Sequence, residues 1–261
     1  MCDFVPLGRY VAKVGPTDIF HIEYTRVHEH LSWDDEWIKF INDIGPNNCV
    51  IAQLIGCEVE FFKKAMDYLH TLPIKGIDLN LGCPAPKVYK NNVGGGLLRQ
   101  LDHVDRLVGA MREWVRPPLT FSVKFRLGFD EPDAWGGVLE ILRKHGVDWT
   151  TVHLRTVADG YHAPARYALA RDVAAASPCP MLINGDIQTV AQGLEMIEQT
   201  KCWGVSVGRG AIRYPWIFRR KNNPATAPAT FAEAHDYLQW VVAGCRSIGP
   251  MKGYLNFLGL S

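Results

Sequence analysis

Short apolar, β-branched runs alternate with longer amphipathic ones along most of this chain. Runs at 19–24 (IFHIEY), 49–55 (CVIAQLI), 76–81 (GIDLNL), 119–125 (LTFSVKF), 149–154 (WTTVHL), 180–184 (PMLIN) and 204–208 (GVSVG) have the length and composition of strands. Between them, 59–72, 104–115, 135–145, 167–176 and 190–199 carry apolar residues at helical spacing. Strand–helix alternation of this regularity implies right-handed βαβ units and a parallel sheet. Two architectures satisfy it, a doubly wound sheet and a TIM (β/α)8 barrel.

The polar residues decide between them. One stands at the C-terminal end of nearly every strand: Glu23, Gln53, Asn80, Lys124, His153, Asn184 and Arg209. A doubly wound sheet gathers its site at one switch point, whereas a barrel builds it around the whole rim. The expected fold is therefore an α/β barrel. Only DFVPL precedes the helix-like fragment at 9–14, so the barrel is expected to lack its first strand. Such a barrel carries two unpaired edges. Residues 1–222 are assigned to the barrel. Residues 223–261 are read as a linker, the rest of KNNPATAPAT (221–230), and an incomplete helical appendage whose first helix spans 231–247.

Composition excludes several function classes. With 28 Lys+Arg against 27 Asp+Glu the formal charge is +1, which is no polybasic nucleic-acid glove, although a basic face can exist within a neutral total. No apolar run reaches the ~20 residues of a membrane span, and the first residues contain no signal-peptide core. The 7 cysteines are scattered without a CxxC pair, which argues against a structural metal or a disulfide framework and for a reducing, cytoplasmic compartment.

The segment 78–98, DLNLGCPAPKVYKNNVGGGLL, is the richest in chemistry. A strand ends at Asn80, turns through Gly82-Cys83-Pro84 and reaches three glycines, Gly94 to Gly96. A cysteine on a rim loop is placed to protonate or attack a substrate, or it is a small packing residue in a tight turn. The glycines read as a phosphate cradle or as a flexible lid. Lys124, between Val123 and Phe125, requires an anion or an internal carboxylate such as Asp78.

This segment resembles the signature of the tRNA-dihydrouridine synthases, in particular the bacterial synthase C-like group. Further motifs follow in order: IEYTRV, IAQLIG, SVKFRLG, TVHLRT, INGDI and VSVGRGAIRYPWIF. The similarity runs from about residue 9 to 220. The resemblance implies reduction of uridine to 5,6-dihydrouridine in tRNA by FMN that NADPH has reduced. Hydride goes to C6 of the uracil and a proton to C5. It makes Cys83 the proton donor, a role suited to a thiol of ordinary pKa near ~8.5. Gln53, Lys124 and His153 then face the flavin ring, while Asn184, Gly185, Asp186, Gly208 and Arg209 hold its phosphate. Arg26, Asn80 and Arg126 match positions that meet the target nucleotide, with Arg126 reaching into the mouth on the same strand face as Lys124. The expected partner is tRNA, the expected state a monomer, and no metal is called for. The rival expectations are an FMN barrel reducing a free pyrimidine and a shortened, non-catalytic homologue.

Overall fold

A computed structural model describes residues 4–15, 17–220 and 228–244. Six strands run parallel in chain order: β3 (Val50–Ile55), β4 (Gly76–Leu81), β5 (Thr120–Arg126), β6 (Trp149–His153), β7 (Met181–Asn184) and β8 (Gly204–Ser206). Two short strands, β1 (Phe20–His21) and β2 (Thr25–Arg26), both pair with β3. The helices are α1 (Phe4–Val14), α2 (Asp35–Ile44), α3 (Val59–Leu69), α4 (Pro86–Tyr89), α5 (Leu101–Trp114), α6 (Trp135–His145), α7 (Ala170–Ala176), α8 (Val190–Thr200), α9 (Arg209–Arg213) and α10 (Phe231–Gly244). Their boundaries have local causes. Asp34 caps α2 by accepting the Trp37 amide at 2.9 Å, Thr189 and Gln192 form a capping box on α8, and left-handed Gly146 ends α6.

Alternate residues of the strands face opposite ways. The outward set, including Ala52, Leu54, Ile77, Leu79, Phe121, Val123, Phe125, Val152 and Ile183, joins the helices in one large core. The inward set is different. At its lower end Ile51, Trp149 and Leu182 form a small separate apolar cluster. His21, at one end of the sheet, stacks on Trp149 four strands away, with ring centroids 5.2 Å apart. The sheet therefore curls on itself as a barrel does. Its order, β1-β3-β4-β5-β6-β7-β8, leaves β1 and β8 as edges among the described residues, as the sequence predicts for a barrel short of one strand.

Three expectations are corrected. The run at 19–24 is not one strand. Phe20 and His21 pair with Val50 and Ile51, while Thr25 and Arg26 pair with Leu54 and Ile55. Three residues, 22 to 24, therefore oppose two, 52 and 53, which is a bulge. The fragment expected at 9–14 is a longer helix from Phe4, whose Pro6 falls in the first turn, where a missing N–H costs nothing. The helix expected at 167–176 opens as a 3-10 turn, Tyr167–Leu169, before α7.

α10 packs on this frame. Its Tyr237 and Val241 belong to the main core, and the Tyr237 ring lies 4.8 Å from that of Tyr10 in α1. The remainder of the helix expected at 231–247 lies outside the described residues.

Candidate active site

Above the apolar floor, the inward residues become polar strand by strand. Register places Gln53 beside Asp78, Asp78 beside Ser122, Asn80 beside Lys124, Lys124 beside Thr151 and His153 beside Asn184. Burial forces these groups to bond one another. Ser122 Oγ donates to Asp78 Oδ1 at 2.6 Å, and Gln53 Nε2 donates to Asp78 Oδ2 at 2.8 Å. Asn80 Nδ2 donates to Gln53 Oε1 at 2.8 Å. Asn80 Oδ1 then accepts the amides of Gly82 and Cys83, both at 2.9 Å. A connected chain of side chains thus runs from the middle of the barrel to the turn that carries the cysteine.

That turn is also clamped from above. Gly95 N donates to the Cys83 carbonyl at 3.2 Å. A Cβ at Gly94, which has φ +58°, would stand 2.8 Å from Ile55 and 3.1 Å from Cys83. One at Gly96 would meet the Tyr89 carbonyl at 2.4 Å. The three glycines are buried in the 3-10 turn Gly94–Arg99, so they are neither an open phosphate cradle nor a lid. Their small size lets one loop lie directly on the other. Cys83 is 8% exposed, and the Tyr24 hydroxyl lies 3.8 Å from its sulfur.

Arg126 departs from expectation. It is 1% exposed and donates to the carbonyls of Gly82, Thr156 and Gly160, each at 2.8 Å. The reading of a free guanidinium in the mouth gives way to a buried staple between the cysteine turn and the 156–160 loop. Chain parity placed it on the correct face but could not show that backbone carbonyls would engage it there. Lys124 differs from both of its neighbours. Among the described residues no carboxylate lies within ion-pairing distance of it, because Asp78 is committed to Gln53 and Ser122. Burial, with Arg126 nearby, pushes the Lys124 ammonium down to about 8, against a smaller opposing pull from Asp78.

His153 is buried, and its Nδ1 has no hydrogen-bond partner. Burial first, then Lys124, Arg126, Arg155 and Arg209, hold its pKa well below the ordinary value, so the ring is neutral at pH 7. Asn184 donates to the Ser206 carbonyl at 2.7 Å and so ties β7 to β8. Gly185 has φ +133° and Asp186 φ +53°. Asp186 then accepts bonds from the buried Arg155, the Ala165 amide and, at 2.7 Å, Arg209. The loops 184–186 and 208–209 therefore meet in space. Gly208 is exposed, with open space where a side chain would be. Arg26 is exposed on the rim at the end of β2, in register with Ile55.

Tyr161 and Thr151 were missed, and Arg155 entered the sequence reading only within the TVHLRT motif. Tyr161, 55% exposed, lies across the mouth with the Arg126 and Arg209 guanidiniums 5.2 and 5.1 Å from its ring centre and His153 at 6.2 Å. Arg155 and Thr151 are buried with an unpartnered Nη1 and Oγ1 respectively. The strand parity 149, 151, 153 would have found Thr151; nothing in the sequence pattern singles out Tyr161. Farther out, Arg219 pairs with Glu233 at 2.8 Å. No helix among the described residues is long and apolar enough to cross a membrane.

A curled parallel sheet with its polar residues on the C-terminal rim is the architecture of a TIM barrel, and solved structures share it. An old yellow enzyme homologue from Zymomonas mobilis superposes with TM-score 0.62 at 12% identity, over 87% of this chain and 86% of its own. A 2-naphthoyl-CoA reductase does so with TM-score 0.68 at 8% identity, over 84% of this chain and 46% of its own. At these identities the likeness is one of fold. The sequence is more specific: the dihydrouridine synthase family model matches residues 6–247, and the chain belongs to that family. A probable tRNA-dihydrouridine synthase of Helicobacter pylori is 32% identical over 231 residues, 86% of this chain and 69% of the relative. A tRNA-dihydrouridine(16) synthase of Cupriavidus necator is 30% identical over 219 residues, 80% of this chain and 68% of the relative.

Proposed function

We propose that this chain reduces uridine to 5,6-dihydrouridine in tRNA, with FMN as its bound cofactor, NADPH as the reductant and Cys83 as the proton donor. The observation that carries the reading is the seating of Cys83. Its amide is fixed by Asn80, its carbonyl by Gly95, and its turn by Arg126, at the C-terminal mouth of the barrel. So much positioning of one small side chain has a purpose if its S–H must point at a substrate atom.

The residues present fit a flavin. His153 Nδ1, Thr151 Oγ1 and Arg155 Nη1 are buried polar atoms without partners, each costing about 1–3 kcal/mol until a polar ligand satisfies it. Lys124 is a cation with no ion-paired carboxylate among the described residues. Gln53, Lys124 and His153 would face the ring, and Asn184, Gly185, Asp186, Gly208 and Arg209 the phosphate. Bound there, the flavin supplies hydride chemistry to the pyrimidine. Lys124 offers positive charge where a reduced ring carries negative charge. Neutral His153 offers one donor and one acceptor. Arg209 offers the cation that a phosphate selects, in a site where Asp186 already holds it. Arg26, on the exposed rim, and the Asn80-fixed turn stand where an RNA nucleotide would enter. The names of the relatives, tRNA-dihydrouridine synthases, support RNA over a free pyrimidine.

The test is Cys83→Ala. Flavin content and NADPH oxidation should survive, while dihydrouridine formation in tRNA should fall by about 10²–10⁴-fold, the usual worth of a positioned general acid. A Cys83→Ala protein working at the parental rate removes the proposed role. Activity of the parent on uracil but not on tRNA would favour the free-pyrimidine reading.

A further inference from the structure

The bulge between β1 and β2 has a specific effect on one side chain. Had the pairing of Phe20 with Val50 continued in step, residue 24 would have opposed residue 54, on the outer, helix-covered face. The extra residue shifts the later pairing by one, so Tyr24 comes next to Gln53, on the inner face. There it packs with Ile55, Val93 and Cys83 in an apolar group that also includes Val88 and Ala85. Among the described residues, the Tyr24 hydroxyl is the hydrogen-bond partner of the Cys83 thiol, at 3.8 Å.

We propose that Tyr24 is the positioning residue of the proton-donating thiol, its hydroxyl fixing the S–H direction and then donating to the sulfur once the proton has gone. This rests on the proton-donor reading of Cys83. In the step, the S–H bond breaks and a C–H bond forms at the substrate carbon. The sulfur keeps the electron pair as a thiolate until water returns a proton. Tyr24 keeps its own proton throughout and is a donor, not an acid. Burial, and next the neighbouring thiol, push the Tyr24 phenol well above its ordinary pKa, so the hydroxyl hydrogen is present across the working range. The surroundings make the bond matter. The apolar group leaves a developing thiolate few other donors, and one hydrogen bond to an ionised sulfur is the kind worth most.

The other charged and titratable groups around the pair are Glu23 beside Tyr24, Cys57 in the same apolar group, Tyr161 across the mouth, and Lys124 and Arg126 on β5. None of them is altered by Tyr24→Phe, which keeps the ring and its packing and removes only the oxygen. Two measurements on this variant test the proposal. The first is the rate at which iodoacetamide alkylates Cys83 at pH 8, resolved from the other cysteines by peptide mass. It should fall about tenfold, the size of one hydrogen bond to a charged group. The second is tRNA reduction, in which kcat should fall by a similar factor while KM for tRNA, flavin content and NADPH oxidation stay at parental values. Unchanged or faster alkylation overturns the proposal, faster alkylation meaning that the hydroxyl merely shields the thiol. A rise in KM with unchanged kcat overturns it as well. The alkylation measurement needs no turnover. If Tyr24→Phe slows it while Cys83→Ala keeps full activity, the proton-donor reading fails and the Tyr24–thiol bond stands. If Cys83→Ala abolishes reduction and Tyr24→Phe changes neither measurement, the reverse holds.

Discussion

Lys124→Met in the flavin-free protein should make it more stable. The lysine stands in the barrel without a carboxylate partner among the described residues, and its pKa falls from 10.5 to about 8, burial being the main cause and Arg126 the next. At about 1.36 kcal/mol per pH unit, that fall corresponds to about 3 kcal/mol withheld from folding by the protonated side chain. Screening at the partly open mouth reduces the expected gain on replacement to about 1–2 kcal/mol. Methionine is unbranched and only one heavy atom shorter than lysine, so the cavity it leaves is small. The dependence on pH carries the sign. Below about 8 the lysine is protonated in both folded and unfolded chains and the penalty is whole. Between about 8 and 10.5 the unfolded chain holds the proton that the folded one has lost, so parental stability rises through this window relative to the variant. Urea unfolding of both proteins from pH 6 to pH 10 would measure this. The advantage of the variant should be level up to about 8 and shrink above it. A variant less stable than the parent at pH 7, or an advantage that grows with pH, would refute the picture of an unpaired ammonium.

Three further outcomes are expected. Asn80→Ala leaves the amides of Gly82 and Cys83 and the oxygen of Gln53 without partners, which should cost about 2–4 kcal/mol in urea unfolding; a loss under 1 kcal/mol would mean that the turn holds itself. Arg209→Ala should weaken FMN by about 1.5–3 kcal/mol in a fluorescence titration and leave riboflavin, which lacks the phosphate, nearly unchanged; equal weakening of both would make the arginine structural. His153 is held neutral, so the folded chain resists a proton that the unfolded chain accepts near 6.5. Stability should therefore decline as pH falls below about 6.5, and His153→Asn should flatten part of that decline in thermal melts.

Much of the frame was legible because it depends on period and on strand ends. The strands from residue 50 onward fall within the expected runs, except that β5 extends one residue further, to Arg126, and helix α6 matches its run end to end. The bulge was not legible, because IFHIEY has the composition of an unbroken strand and only pairing with β3 reveals the extra residue. For the site, the sequence brought out which polar residues stand on the rim but not how they spend their hydrogen bonds. Asn80 and Arg126 were assigned to a nucleotide, and the structure shows both bonded to the backbone around Cys83. An arginine that reaches a ligand and one that reaches three carbonyls occupy the same place in a strand pattern. The difference arises from the loop at 156–160, whose course no local periodicity encodes.

The two loops that Asp186 and Arg209 join hang from β7 and β8, the last strands of the sheet among the described residues. β8 is three residues long, only part-buried and, among the described residues, paired with one strand. Edge strands of that kind open and reclose more often than the centre of a sheet. A ligand gripped by both loops must then hold that corner closed as well as bind to it, so its measured affinity contains the cost of closing. Amide exchange in β7 and β8 and the affinity for such a ligand become two readings of one equilibrium. Substitutions that tighten the corner, far from any atom of the ligand, would strengthen binding by the amount by which they slow the exchange.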